Sequence, residues 1–271
     1  MAAKAGIKIE APSATDLVLD LLFTHPRQAL TVQALARAAE VMDIATPAVR
    51  VALTRLQRQG RVAKTGRGSY AVRLEGNPAH HEVQYWFDKE SRLRDWKGDW
   101  LVVHDAAVAR SAKTLWRHHQ RALELYGFRM LDTALWVRPD NLDGGAPTME
   151  AALRRLGLAR EALVFSARQF DPASAQRMTG LWNVPGILAG YRHAHALLAR
   201  STARLARLSP AAAARETLLV GRAVIRAIVR DPLLPEAIQP GAERHALIDA
   251  TRAYQAGALA IWETLLQSEA D

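Results

Sequence analysis

What most restricts the fold of this chain is the run from Thr46 to Arg73. There a helix pattern passes directly into a strand pattern, and seven Arg or Lys residues (50, 55, 58, 61, 64, 67, 73) occur without one Asp or Glu. Thr46 is a good N-cap, Pro47 is pre-set for the first helical position, and Gly60 supplies a stop. At about 100° per residue, Val49, Ala52, Leu53 and Leu56 share one side of that helix, while Arg50, Val51, Thr54, Arg55 and Arg58 fan across the other. After Gly60 come Val62 and Lys64, then Gly66-Arg67-Gly68-Ser69, then Tyr70, Val72 and Leu74: two short alternating strands around a glycine turn. A recognition helix beside a cationic hairpin suits duplex nucleic acid, because Arg and Lys neutralise phosphates while helix side chains reach base edges in the major groove. The competing reading is a solvated amphipathic helix next to an ordinary hairpin.

Upstream, Leu17, Val18, Leu21 and Leu22 form a helical stripe, and Thr31 opens a second helix carrying Val32, Leu35, Ala36 and Ala39. Helix, helix, helix and wing is the order of a winged helix-turn-helix, expected over residues 1–75. Residues 76–95, with Gly76, Asn77 and Pro78, read as a linker. The formal charge of +9 favours a polyanionic partner, and the absence of cysteine excludes disulfides, thiolate nucleophiles and Cys-ligated metals. No segment has the length of apolar sequence that a membrane span needs, so a soluble cytoplasmic protein is expected.

Residues 96–172 change character. LVVH (101–104), ALWVRP (134–139) and ALVFSAR (162–168) read as strands, alternating with helices over 108–126, striped by Leu115, His119, Ala122 and Tyr126, and over 149–157. That alternation predicts a small α/β sandwich of split βαβ type. Residues 173–271 read as all-α. Ser209 and Pro210 start a helix to about Arg230, DPLLPEAIQPG (231–241) is a packed loop, and Leu247, Tyr254, Ala258, Ile261 and Leu265 stripe a final helix.

The residues also resemble a known family across all three regions. AVRVALTRLQRQG (48–60), the Trp96-x-Gly98-x-Trp100 pattern, YGF…ALWVRP (126–139) and Arg230-Asp231-Pro232-Leu233-Leu234-Pro235 are similar to the PaaX family of bacterial transcriptional repressors. The wing, TGRGSYAV, departs from that pattern in lacking a second aromatic beside Tyr70. The resemblance implies a homodimeric repressor with a ferredoxin-like central domain and a helical C-terminal domain for dimerisation and effector binding. It further implies double-stranded operator DNA as partner and release by a small-molecule effector such as an aryl-CoA thioester, in control of a catabolic operon.

On this reading Arg50, Val51, Thr54 and Arg58 face the groove, Val51 and Thr54 being able to meet a thymine methyl, while Arg55, Lys64 and Arg67 hold phosphates. Arg222, Arg226 and Arg230, spaced i, i+4 and i+8, could present a cationic stripe to the phosphates of a CoA-like ligand, with Trp136 beside an aryl group. A solvated helix face and ordinary tryptophan packing are the alternatives. The histidine pairs His80-His81, His118-His119 and His193-x-His195 have the wrong spacing to share an ion on one helix. No catalytic residue, metal ligand or cofactor is therefore expected. A metal-dependent nuclease built around Asp105 at the end of the first central strand is the enzyme alternative, and a non-specific nucleic-acid-binding protein is the other.

Overall fold

The computed structural model describes residues 7–25, 28–73, 75 and 86–267, and its fold is mixed α+β. Ser13 and Asp16 close a capping box that starts helix α1 (Ala14–Thr24), burying Leu17, Val18, Leu21 and Leu22. Strand β1 (Ala29–Thr31) ends on Thr31, whose hydroxyl accepts from the Ala34 N–H at 3.1 Å and caps α2 (Val32–Val41). Helix α3 (Thr46–Arg58) follows, then a hairpin of β2 (Val62–Gly66) and β3 (Ser69–Val72), with β1 paired to β3 as the third strand. Three residues are too few to show alternation, which is why β1 has no sequence signal.

The chain separates into two compact units whose boundaries differ from the four-part division expected from sequence. The first takes Met1–Tyr85 together with Arg192–Arg226 and Ala246–Asp271; the second takes Trp86–Tyr191 with Ala227–His245. Residues 173–271 are thus no separate helical domain. Ala214, Leu218, Ile261, Trp262 and Leu265, from α8 (Pro210–Val229) and α9 (Ala242–Gln267), pack into the cluster formed by α1, α2 and α3. The physical reason is size: a domain of about 60–70 residues buries a smaller fraction of its surface than a larger one does, and the added helices enlarge its core. The expected 76–95 linker also needs correction where it is described. Trp86–Arg92 is a 3-10 helix with Trp86 and Lys89 buried, and the Lys89 ammonium donates to the Val229 and Asp231 carbonyls at 2.7 and 2.6 Å, satisfying the end of α8. Residues 76–85 lie outside the described part.

In the second unit, β4 (Trp100–His104), α4 (Lys113–Leu125), β5 (Arg129–Asp132), β6 (Leu135–Pro139), α5 (Gly145–Leu156) and β7 (Leu163–Ala167) follow in sequence. The antiparallel sheet has the order β5-β6-β4-β7. Leu101, Val103 and Trp136 face α4 and α5, and Trp100, Val102 and Val137 meet Met178 of α6 (Pro172–Thr179) and Trp182. Leu115, expected in the buried stripe of α4, is instead 68% exposed.

The motifs at 126–139 and 230–235 meet in this unit. Arg138, fully buried, donates to the carbonyls of Tyr126 and Pro139 and to Asn141 Oδ1 at 2.9 Å, and Asn141 Nδ2 donates to the Leu233 carbonyl at 2.7 Å. Gly127 has φ +74°, and a Cβ there would lie 2.7 Å from Pro232 Cα, so glycine is required both by the turn and by the close approach. Asp231 accepts from the Leu233 N–H at 2.7 Å and from the Tyr191 hydroxyl. These distinctive sequences therefore hold the unit together. Among the described residues no helix is long and apolar enough to cross a membrane.

Candidate nucleic-acid interface

The helix α3 exists because one face is wholly packed: Val49, Ala52, Leu53 and Leu56 are at most 4% exposed. All seven residues expected to contact DNA are on the exposed side, with Arg50, Val51, Thr54, Arg55 and Arg58 on α3 and Lys64 and Arg67 on the hairpin. Val51 is 68% exposed, an apolar β-branched group held out of any core. The Thr54 hydroxyl donates back to the Arg50 carbonyl at 3.0 Å, leaving its methyl as the group free to meet an apolar surface. Gly60, at φ +69°, ends the helix in the left-handed region, and the Arg61 N–H bonds to the Leu56 carbonyl at 2.9 Å. One detail of the helix start is corrected: Ala45 holds the N-cap position without a side-chain bond, and Thr46 and Pro47 are the first helical residues. Proline fits anywhere in the first turn, so the start can move by a residue at little cost.

In the hairpin, Lys64 lies opposite Tyr70, and a register shift between Lys64 and Gly66 precedes the Arg67-Gly68 tip. Just before α3, Asp43 sits 2.5 Å from an Arg215 guanidinium nitrogen, which also donates to the Val41 carbonyl at 2.9 Å. The arginine from α8 thereby offsets the acid closest to the start of α3 in sequence. The result is an exposed cationic face on a rigid support.

The residues expected to bind an effector are divided between the two units. Arg222 is 8% exposed and lies 3.0 Å from Asp20 and 3.3 Å from Asp16 of α1, while Arg226 lies 3.7 Å from Glu10. Their charges face carboxylates of their own unit, because the α8 stripe is the side that packs on α1. Arg230, exposed beyond the end of α8, belongs to the other unit. Trp136 is 6% exposed, and its indole N–H donates to Asp105 Oδ2 at 2.8 Å, so it is a core residue of the sheet. Asp105 is itself fully buried and accepts from His119 Nε2 at 3.0 Å. The Ala159 N–H donates to His119 Nδ1 at 3.2 Å, which leaves Nε2 as the protonated nitrogen. This carboxylate is held inside a packed core and does not line a nuclease cleft.

The Asp20–Arg222 contact carries a pH dependence. Burial pushes the Asp20 carboxyl up to about 7, against the pull of Arg222. An unfolded aspartate ionises near pH ~4, so between about pH 4 and 7 the folded chain binds the extra proton and stability falls as pH rises through that window. Asp20→Asn is expected to flatten this decline in urea unfolding followed by circular dichroism. A pH slope identical to that of the parent protein would contradict the assignment.

No family model and no curated protein matches the chain. The solved structure of "Uncharacterized protein Rv0674 from Mycobacterium tuberculosis" is similar, with 23% identity and a TM-score of 0.58 over 94% of this chain and 99% of that one. The similarity establishes a shared fold.

Proposed function

We propose that the chain is a sequence-specific DNA-binding transcriptional repressor of the PaaX type. Its first unit serves as a winged helix-turn-helix head and its βαββαβ sheet as a ferredoxin-like core. One observation carries this reading: α3 and its hairpin expose seven candidate contact residues, five of them Arg or Lys, on a stretch free of Asp and Glu, while the opposite face of α3 is buried in the core. Such a face can lie in the major groove with the wing tip on the backbone. A homodimer would read two half-sites about one helical turn or a multiple apart. A small-molecule effector of the aryl-CoA kind, preferring the DNA-incompetent state, would release the operator by its differential affinity alone, with no chemistry on the ligand. The setting is the bacterial cytoplasm and the controlled genes a catabolic operon.

The test is titration of a 40-base-pair duplex from the region upstream of the chain's own gene, repeated across salt concentrations. Arg58→Ala and Lys64→Ala are each expected to flatten the log–log salt slope by about 0.9, the contribution of one phosphate contact. Unchanged affinity and slope in both variants would remove these residues from the interface.

A further inference from the structure

The first unit carries a second cationic surface that the helix-turn-helix does not account for. From Arg192 to Arg215 the sequence has five arginines and neither Asp nor Glu. Helix α7 (Val184–Leu205) contributes Arg192–Leu205 to this unit. Its buried positions are Ala194, Leu198 and Ser201, whereas Arg192, Ala196, Ala199, Arg200, Ala203 and Arg204 are exposed on the other side, and Arg207 is exposed just past the helix end. Alanines thus interleave with the arginines on this exposed side, which also carries His193 and His195.

Two of these charges are uncompensated. Arg204 is 3.7 Å from Glu216, but Arg200 and Arg207 form no ion pair among the described residues. Uncompensated exposed arginines at one corner repel each other, a cost that a polyanion removes. The corner also has a fixed relation to the helix-turn-helix. Arg215, in the second turn of α8, bonds to Val41, the last residue of α2, and to Asp43 in the turn that leads into α3. Two residues of connection, Leu208 and Ser209, and five of helix lie between Arg207 and Arg215, which places the two Cα atoms within about 20 Å. In a helix-turn-helix the helix ahead of the recognition helix, here α2, crosses the DNA backbone.

We infer that Arg200 and Arg207, at the corner between α7 and α8, form a second phosphate-contacting surface for the same duplex that α3 and the wing engage. The inference rests on the reading of α3 and its hairpin as a DNA-binding head. It extends the footprint of each subunit beyond the bases that α3 reads, and it adds affinity without sequence preference, because phosphate contacts position a protein and bases specify it.

The experiment is fluorescence anisotropy of a mixed-sequence 40-base-pair duplex across a salt series with the full-length chain. Arg200→Ala/Arg207→Ala is expected to flatten the log–log slope by about 1.8, twice the single-phosphate value. Arg200→Lys/Arg207→Lys retains the parent slope, and Arg117→Ala/Arg121→Ala, an equal loss of charge on α4, leaves it within about 0.5 of the parent. Equal flattening by the α4 pair would reduce the effect to net charge and overturn the inference. So would an unchanged slope in Arg200→Ala/Arg207→Ala when Arg58→Ala/Lys64→Ala does flatten it, in which case the head stands without the corner. Absence of duplex binding by the parent protein removes the head itself, and the corner with it.

Discussion

Replacing Arg138 with alanine is expected to cost about 4 kcal/mol or more, lowering the melting temperature by roughly 8–16 °C. The side chain is 1% exposed, and its guanidinium satisfies the Tyr126 and Pro139 carbonyls and Asn141 Oδ1. Alanine leaves those acceptors buried and unpaired and opens a cavity beneath the Gly127 turn. It also frees Asn141, whose amide holds the Leu233 carbonyl at 2.7 Å, so the loop around Asp231 loses its anchor. Arg138→Lys restores the charge but not the planar fork that reaches separate acceptors, and a loss of about 2 kcal/mol is expected. Differential scanning calorimetry reads both; a shift under 2 °C for the alanine variant would show that the network carries little stability.

Asp105→Ala is the second large effect, expected at about 3–5 kcal/mol because it strands two buried donors, His119 Nε2 and Trp136 Nε1. Asp105→Asn keeps one oxygen for those donors and is expected to cost less. However, its amide replaces an oxygen, Oδ1, that has no hydrogen-bond partner, so the amide N–H groups enter the core unpaired. This pair of variants also tests for catalysis at this position. Both are expected to lose stability in the same unfolding assay, and magnesium is expected to leave plasmid DNA uncut by the parent protein. Magnesium-dependent cleavage abolished by Asp105→Asn would restore the nuclease alternative.

Helix α3 and its hairpin were legible in sequence because their signals are local. Pro47 and Gly60 mark the ends of a helix, the spacing of Val49, Ala52, Leu53 and Leu56 sets its buried face, and Gly66 and Gly68 bracket the hairpin turn. Strands β1 and β5 were not legible. Each has four residues or fewer, and β5 is broken by a register shift between Met130 and Asp132, so neither shows a period. The ion pairs of the α8 arginines were not legible for a different reason. Spacing puts Arg222 and Arg226 on one helix face but says nothing of the Asp16, Asp20 and Glu10 carboxylates that wait there, residues some 200 positions away. Long-range pairing likewise drew α8 and α9 into the first unit's core, which a chain read in order divides at residue 172. The arginines at the corner of α7 and α8 left a plain sequence signal, the acid-free run from Arg192 to Arg215, but their meaning depended on the Arg215–Asp43 contact.

Selection from a randomised duplex library tests the proposed function most directly. A dimeric head reading DNA through α3 is expected to enrich an inverted repeat with half-site centres about 10 base pairs or a multiple apart. Its affinity for the enriched sequence should exceed that for a scrambled duplex by roughly 10³-fold or more at physiological salt. Arg50→Ala should relax the preference at one position of each half-site, and Lys64→Ala should weaken all sequences alike. Enrichment of no sequence, with equal affinity for selected and scrambled duplexes, would make the cationic face a non-specific nucleic-acid surface and contradict the repressor reading.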